Sequence, residues 1–246
     1  MLARVEHLTA AYGTRTVLDD VTLDVRRGEI LVILGGSGCG KTTLLKHFIG
    51  LLMPKSGSVK LFGEDWWTLD EPDRDAVIQK IGVLFQNGAL LGSRTLAANV
   101  AIPLEQHTNL SDAVILRVVK LKLRQVGLQG AEDRLPSELS GGMRKRAAMA
   151  RALALDPPLV FCDEPSAGLD PATTFNLDRL LLDLRDNLGL TLVVVTHETA
   201  SIRRIADRIA FLDQGRLVFD GPLKDAIVSE VDPVRRFFQI AEATVG

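Results

Sequence analysis

Cysteine is scarce in this 246-residue chain. Cys39 and Cys162 are the two present, too few for a disulfide framework, and no CxxC or Cys/His grouping suggests zinc; a reducing compartment is expected. Net charge is nearly absent, with 31 acidic against 29 basic residues, or −2. That balance leaves no electrostatic footprint for nucleic acid. Long apolar runs are missing too: no stretch reaches the roughly 18 residues of a membrane span, and Ile81–Ser93 is too short and glycine-rich. The first residues carry Arg4, Glu6 and Arg15, so they do not form the apolar core of a secretory signal. Neither an internal repeat nor a low-complexity linker is visible.

What remains is ordinary globular material, with 46% hydrophobic and 24% charged residues, enough to bury a core without staples. The length suits one or two domains. Val17–Arg26 alternates apolar and polar residues, and Ile30–Leu34 is a continuous apolar run suited to a strand buried on both faces. Helical spacing follows over Lys41–Gly50. Strands are expected at Val59–Phe62 and Ile81–Phe85. Between Gly88 and Leu155 the pattern is helical, with Ser111-Asp112 and Ser140 as candidate caps. Strand and helix then alternate through Leu159–Cys162, Pro171–Leu188, Thr191–Val195, Thr199–Ala206, Ile209–Leu212 and Arg216–Phe219. The pattern predicts an α/β parallel sheet with helices on its faces and a helical block, residues 88–155, inserted in it.

Two segments carry chemistry. Gly35-Gly36-Ser37-Gly38-Cys39-Gly40-Lys41-Thr42 matches G-x-x-x-x-G-K-[ST], between a buried strand and a helix. Its backbone N–H groups can converge on phosphate oxygens at a helix N-terminus. Lys41 reaches the β- and γ-phosphates there, and the Thr42 hydroxyl is placed for Mg²⁺. The second is Leu159-Val160-Phe161-Cys162-Asp163-Glu164, an apolar strand that delivers two carboxylates to its C-terminal end. Asp163 is the candidate Mg²⁺ ligand and Glu164 the candidate general base for water attacking the γ-phosphate. Cys39 admits two readings: a thiolate favoured by Lys41 and the helix N-terminus, or an inert side chain turned away from the nucleotide.

Leu139-Ser140-Gly141-Gly142-Met143, before a basic helix, joins these motifs to make the chain resemble the ABC ATPase family from about Val5 to Gly221. The resemblance implies a P-loop NTPase (RecA-like) core with an N-terminal antiparallel β-subdomain and an inserted helical subdomain. It places the cassette at 1–231 and a C-terminal helical extension at 232–246. It implies that Tyr12 stacks on adenine, that Thr43 joins the phosphate loop, and that Gln86 senses Mg²⁺ and the attacking water. It further gives His197 to the γ-phosphate and the loop Ser166-Ala167-Gly168-Leu169-Asp170 to the subunit boundary. In this family two cassettes face head to tail, so that Ser140, Gly141 and Gly142 of one grip the ATP held by the other. ATP, Mg²⁺ and a second copy of the chain are therefore implied.

Met143 stands where the commonest signature has Gln. With Gly35–Leu51, Gly82–Leu104 and Glu105-Gln106-His107-Thr108, it makes the chain look most like the ATPases of MCE-type lipid transporters such as the Mla (maintenance of lipid asymmetry) phospholipid system. That likeness implies an integral-membrane permease docked near Gly88–Leu104, an MCE substrate-binding subunit, a small cytoplasmic regulatory subunit, and a peripheral place on the cytoplasmic face of the inner membrane. An importer or efflux ATPase for another substrate, or a soluble ABC ATPase, remains open. Asp232-Pro233 reads as a helix start, and Val234, Phe237, Phe238 and Ala241 share one face. An interface role is expected for that face; packing on the chain's own core is the alternative.

Overall fold

The computed structural model describes the backbone of residues 1–243 and the side chains of residues 1–240. Among these residues the strands form two sheets. The first is antiparallel and contains β1 (Ala3–Tyr12), β2 (Arg15–Val25), β4 (Ser56–Leu61) and β5 (Glu64–Asp65), in the order β2-β1-β4-β5. The second contains β3 (Ile30–Gly35), β6 (Ile81–Leu84), β7 (Leu159–Asp163), β8 (Thr191–Val195), β9 (Arg208–Asp213) and β10 (Arg216–Pro222). Its order is β10-β9-β3-β8-β7-β6, parallel except for β10. The helices are α1 (Lys41–Phe48), α2 (Glu71–Ile78), α3 (Leu96–His107), α4 (Asp112–Gln125), α5 (Gly141–Ala152), α6 (Pro171–Leu188), α7 (Thr199–Ile205), α8 (Leu223–Ile227) and α9 (Asp232–Ala243).

The strand of Ile30–Leu34 shows why the pattern works. Ile30, Val32 and Leu34 face one core with α3 to α7, while Leu31 and Ile33 face a second core with α1 and the antiparallel sheet. All five are fully buried. A strand sandwiched this way must be apolar at every position, because successive side chains leave opposite faces. β7, β8 and β9 divide their residues between the same two cores. Arg208, at the start of β9, ties the two sheets together: its buried guanidinium donates to Asp220 at 2.6 and 2.7 Å, to Glu29 at 3.0 Å and to the Asp24 carbonyl at 3.0 Å. Three helices, α3 to α5, lie between β6 and β7 in the chain and pack on one another.

Helix α2 has no counterpart in the sequence reading. Its first turn is fixed by Asp70, whose carboxylate accepts the Asp73 N–H at 3.1 Å, and by Pro72. At α4, Ser111 occupies the cap position without a side-chain cap bond.

The C-terminal helix corrects an expectation. Val234 and Phe238 are 0% and 2% exposed and belong to the core that holds Ile202 and Leu181. Phe237 stands edge-on to Phe211, with ring centroids 5.7 Å apart. The face reads as core, not as a free interface; the expected contribution of Ala241 lies outside the described side chains. Phe238→Ala should therefore cost about 3–5 kcal/mol, measured by denaturant unfolding. Truncation after Val231 should lower Tm rather than leave a fully stable chain. A loss below ~1 kcal/mol for Phe238→Ala would return the helix to the surface.

Candidate functional site

Because β3, β6, β7 and β8 run parallel, their C-terminal ends gather at one edge of the sheet, where open α/β sheets bind ligands. A cleft of 860 Å³ opens there, within the range of small-molecule sites. It is lined by Gly35, Gly36, Ser37, Gly38, Lys41 and Thr42 after β3, by Gln86 after β6, by Glu164 after β7, and by His197 after β8. Glu198, Thr199, Ala200, Phe237 and Ile240 complete the wall. The sequence had not singled out these five for the cleft.

The loop after β3 is shaped by two glycines that nothing else could replace. Gly35 has φ +145°, and a Cβ there would lie 2.1 Å from the Leu212 carbonyl oxygen. Gly40 has φ +107°, and a Cβ would meet Leu18 Cδ2 at 2.6 Å. Gly40 is also the N-cap of α1, so no side chain caps that helix, and its first turn holds no acidic residue. The orphan N–H groups and the positive end of the helix dipole are left for an anion. Lys41 Nζ lies over the loop, donating to the carbonyls of Gly35 at 2.8 Å and Gly36 at 2.9 Å. A smaller recess of 150 Å³, with Val17, Gly40 and Thr43 among its walls, adjoins the loop.

Asp163 and Glu164 divide the electrostatics. Burial, and then the neighbouring charge of Glu164, raise the Asp163 pKa; Lys46 and the Thr42 hydroxyl oppose this. Asp163 Oδ1 is buried without a hydrogen-bond partner. An orphaned carboxylate oxygen beside a threonine hydroxyl fits a hard divalent cation such as Mg²⁺, which takes one or two protein oxygens and completes its shell with phosphate and water. Among the described residues no group of three or more His, Cys, Asp and Glu gathers as an all-protein metal cage. Glu164 sits in the left-handed region at φ +46°. Its N–H donates to the Val195 carbonyl at 2.8 Å, and Oε1 lies 2.9 Å from His197 Nδ1.

Other candidates lie elsewhere. Tyr12 is 52% exposed at the end of β1 and lines neither the cleft nor the recess. Ser140 caps α5, accepting the Met143 N–H at 3.3 Å. Asp170 caps α6 and accepts the Thr173 N–H at 3.0 Å and hydroxyl at 2.5 Å, bonds that hold its pKa low. A Cβ on Gly142 would lie 2.4 Å from Thr173 Cγ2, and one on Gly141 3.1 Å from Leu169 Cδ2. The two helix starts therefore abut, and Ser140, Gly141, Gly142 and Asp170 gather at a second place outside the cleft.

Cys39 requires a correction. Its side chain is 8% exposed and packs in the core beneath the loop, and the residue does not line the cleft. Burial raises the thiol's pKa, outweighing Lys41, whose Nζ lies 4.0 Å from Sγ. The Cys39 N–H is taken by the Gly36 carbonyl at 3.3 Å. Burial and the raised pKa favour the inert reading of Cys39 over the thiolate. Cys162 is fully buried, with its thiol pushed up to about 12.

The family model described as ABC transporter matches residues 18–167. The chain belongs to the ABC transporter family. It is 42% identical over 233 residues, 95% of this chain, to the probable ribonucleotide transport ATP-binding protein mkl of Mycobacterium leprae. It spans 65% to 67% of the length of the mycobacterial mkl relatives. It is 40% identical over 229 residues to the intermembrane phospholipid transport system ATP-binding protein MlaF of Haemophilus influenzae, covering 93% of this chain and 87% of that protein. The methionine import ATP-binding protein MetN of Geobacillus kaustophilus is 42% identical over 229 residues, 93% of this chain and 67% of that one. The fold is that of an ABC ATPase cassette. A dimeric structure of a post-hydrolysis state of the ATP-binding cassette MJ0796, bound to ADP and Pi, superposes with a TM-score of 0.82 at 31% identity, covering 90% of this chain and 99% of that one.

Two outcomes follow for the isolated ABC cassette. Asp163→Asn removes a buried carboxylate whose Oδ1 has no hydrogen-bond partner and whose pKa burial raises, so it should raise the Tm of the nucleotide-free protein, by roughly 2–4 °C for ~1 kcal/mol, while abolishing Mg²⁺-dependent turnover. A lower Tm would mean that the carboxylate is already compensated. Native maleimide labelling of Cys39 should be slow, within about tenfold of Cys162, and insensitive to MgATP. Fast labelling blocked by MgATP would restore the exposed thiolate.

Proposed function

We propose that the chain is the ATP-hydrolysing subunit of a membrane transporter. The observation that carries this reading is the single cleft joining Lys41, Gln86, Glu164 and His197 around an uncapped helix N-terminus. Family membership supports it. Gly35, Gly36, Ser37, Gly38, Gly40, Lys41, Thr42 and Thr43 would cradle the phosphates, with the Cys39 backbone shaping the loop. Thr42, Asp163 and Gln86 would hold Mg²⁺, which would neutralise phosphate charge when bound. Glu164 would take the proton of the attacking water. His197 would orient that carboxylate and approach the γ-phosphate. Transfer to water needs positioning and electrostatic stabilisation more than covalent chemistry, and this constellation would supply both.

The cleft lacks Ser140, Gly141, Gly142 and Asp170, so we infer that a second copy provides them in a head-to-tail dimer. The dimeric cassette structures support a dimer. Tyr12, exposed at a strand end, is assigned to adenine. The cassette would comprise residues 1–231 with the helical block 88–155 inserted, although α9 from the 232–246 extension contributes to the same core.

The substrate is proposed to be a lipid, handled with an integral-membrane permease, an MCE subunit and a small cytoplasmic regulatory subunit at the cytoplasmic face of the inner membrane. The phospholipid-transport relative supports this reading. A methionine importer, the alternative, is supported at similar identity. Among the described residues no helix is long and apolar enough to cross a membrane.

Glu164→Gln should bind ATP while turnover drops ~10²-fold or more, and Lys41→Ala should weaken nucleotide binding itself. Normal hydrolysis by Glu164→Gln in the assembled complex would remove it as the base. Mixing Ser140→Arg chains with Lys41→Ala chains should restore turnover above either alone, because one composite site stays intact. Full activity in a verified monomer would rule the dimer out. Copurification from the native membrane should yield an MCE subunit; a solute-binding protein in its place would favour the importer.

A further inference from the structure

The helix after the signature is basic, yet one of its cations is buried. Lys145, on α5, is 6% exposed. Its ammonium donates to two backbone carbonyls, that of Gln86 and that of Glu164, the latter at 3.1 Å. These are the residues that follow β6 and β7 into the cleft. A buried ammonium bonded to neutral carbonyls is a costly arrangement, since desolvation of the charge must be offset by a few hydrogen bonds. An apolar residue could fill the space, but it would leave both carbonyls without this donor.

The Glu164 backbone explains why a donor is needed there. A non-glycine residue at φ +46° carries strain of about 1–3 kcal/mol and persists only where the surroundings over-determine it. Three bonds do so: its N–H to the Val195 carbonyl at 2.8 Å, and its carbonyl accepting from Ala167 N–H at 3.2 Å and from Lys145. Of these, the Lys145 bond is the one that reaches Glu164 from the signature helix. One helical turn and a half farther along, Arg151 donates to the carbonyls of Gly88 at 2.9 Å and Ala89 at 2.7 Å. Helix α5 thus grips the segment after Gln86 at two places.

We propose that Lys145 is a positioning residue for ATP hydrolysis, tying the signature helix to the Glu164 and Gln86 backbones so that the base and the water-sensing glutamine stay in register with Ser140. The inference rests on Glu164 being the base. Lys145 lies outside the cleft lining; it acts through the aim of Glu164. A helical block that shifts relative to the strand ends would carry Lys145 with it and change that aim.

The test uses the full-length protein in the assembly that shows wild-type MgATP turnover, with Lys145→Met, Lys145→Arg, Glu164→Gln and the double variant Lys145→Met/Glu164→Gln. Lys145→Met should lower kcat by ~10- to 100-fold, while KM and the affinity for a fluorescent ATP analogue change less than about twofold and melting stays cooperative. Lys145→Arg, which keeps a charged donor, should recover much of the loss. In the Glu164→Gln background, where the aimed group is gone, Lys145→Met should remove less than about twofold more. Unchanged kcat in folded Lys145→Met, an equal loss in both backgrounds, or a loss confined to KM would overturn the proposal. If Lys145→Met fails to fold, Lys145→Gln is read by the same split between kcat and binding; failure of both would make Lys145 a structural residue and overturn it. Normal hydrolysis by Glu164→Gln alone would fail the base assignment itself, a result distinct from any Lys145 outcome.

Discussion

The placement of the polar groups at the strand ends depends on one constraint, the two-sided burial of a parallel sheet. β3, β7, β8 and β9 hide side chains on both faces, which fixes their register against one another and leaves their ends as the places where polar groups can stand. At those ends Gly35, Asp163 and His197 are brought together although they are far apart in the chain. Apolar strands thus do the positioning, and polar loops carry the chemistry. The separation allows a strained residue such as Glu164 to be held at the site, because the rigid strand before it and the Val195 carbonyl beside it absorb the strain.

Much of this was legible in the sequence, and the reasons are local. Gly35 to Thr42 needs its residue types for its own geometry, so its pattern is nearly self-sufficient. Asp163-Glu164 is visible because carboxylates closing an apolar strand are conspicuous. Helix α2 was missed because its apolar periodicity is weak, although Asp70 and Pro72 held the signal. The thiol of Cys39 could not be oriented from sequence, since a loop position names a residue but not the side on which it points. Lys145 was hidden for a different reason. It sits in a run of Arg and Lys that looks solvated, and its partners are carbonyls, which leave no mark on any sequence. Phe237 and Ile240 reach the cleft only through the folding back of α9, a long-range event that helical periodicity does not encode.

The same distinction separates what the cassette can and cannot specify. The cleft joins a glycine-rich loop and an uncapped helix N-terminus to Gln86, Glu164 and His197, a set whose chemistry suits phosphate and water rather than one particular cargo. Relatives named for phospholipid and for methionine transport match this chain about equally well. The features that fit phosphate belong to a family whose members are named for different cargoes.

The place of β3 has a consequence for how the protein is made. β3 precedes most of the sheet in the chain, yet its pairing partners are β8 and β9, with Ile30 beside Leu192 and Leu31 beside Arg208. When Gly35 to Lys41 leave the ribosome, neither flanking strand has been synthesised, and at about 5–20 residues per second they follow only after many seconds. During that interval the most apolar strand of the sheet has no native neighbours. Pairings so distant in sequence form slowly even once the chain is complete. The nascent strand thus waits through most of the chain's synthesis for its native neighbours, an exposed apolar edge of the kind that favours aggregation.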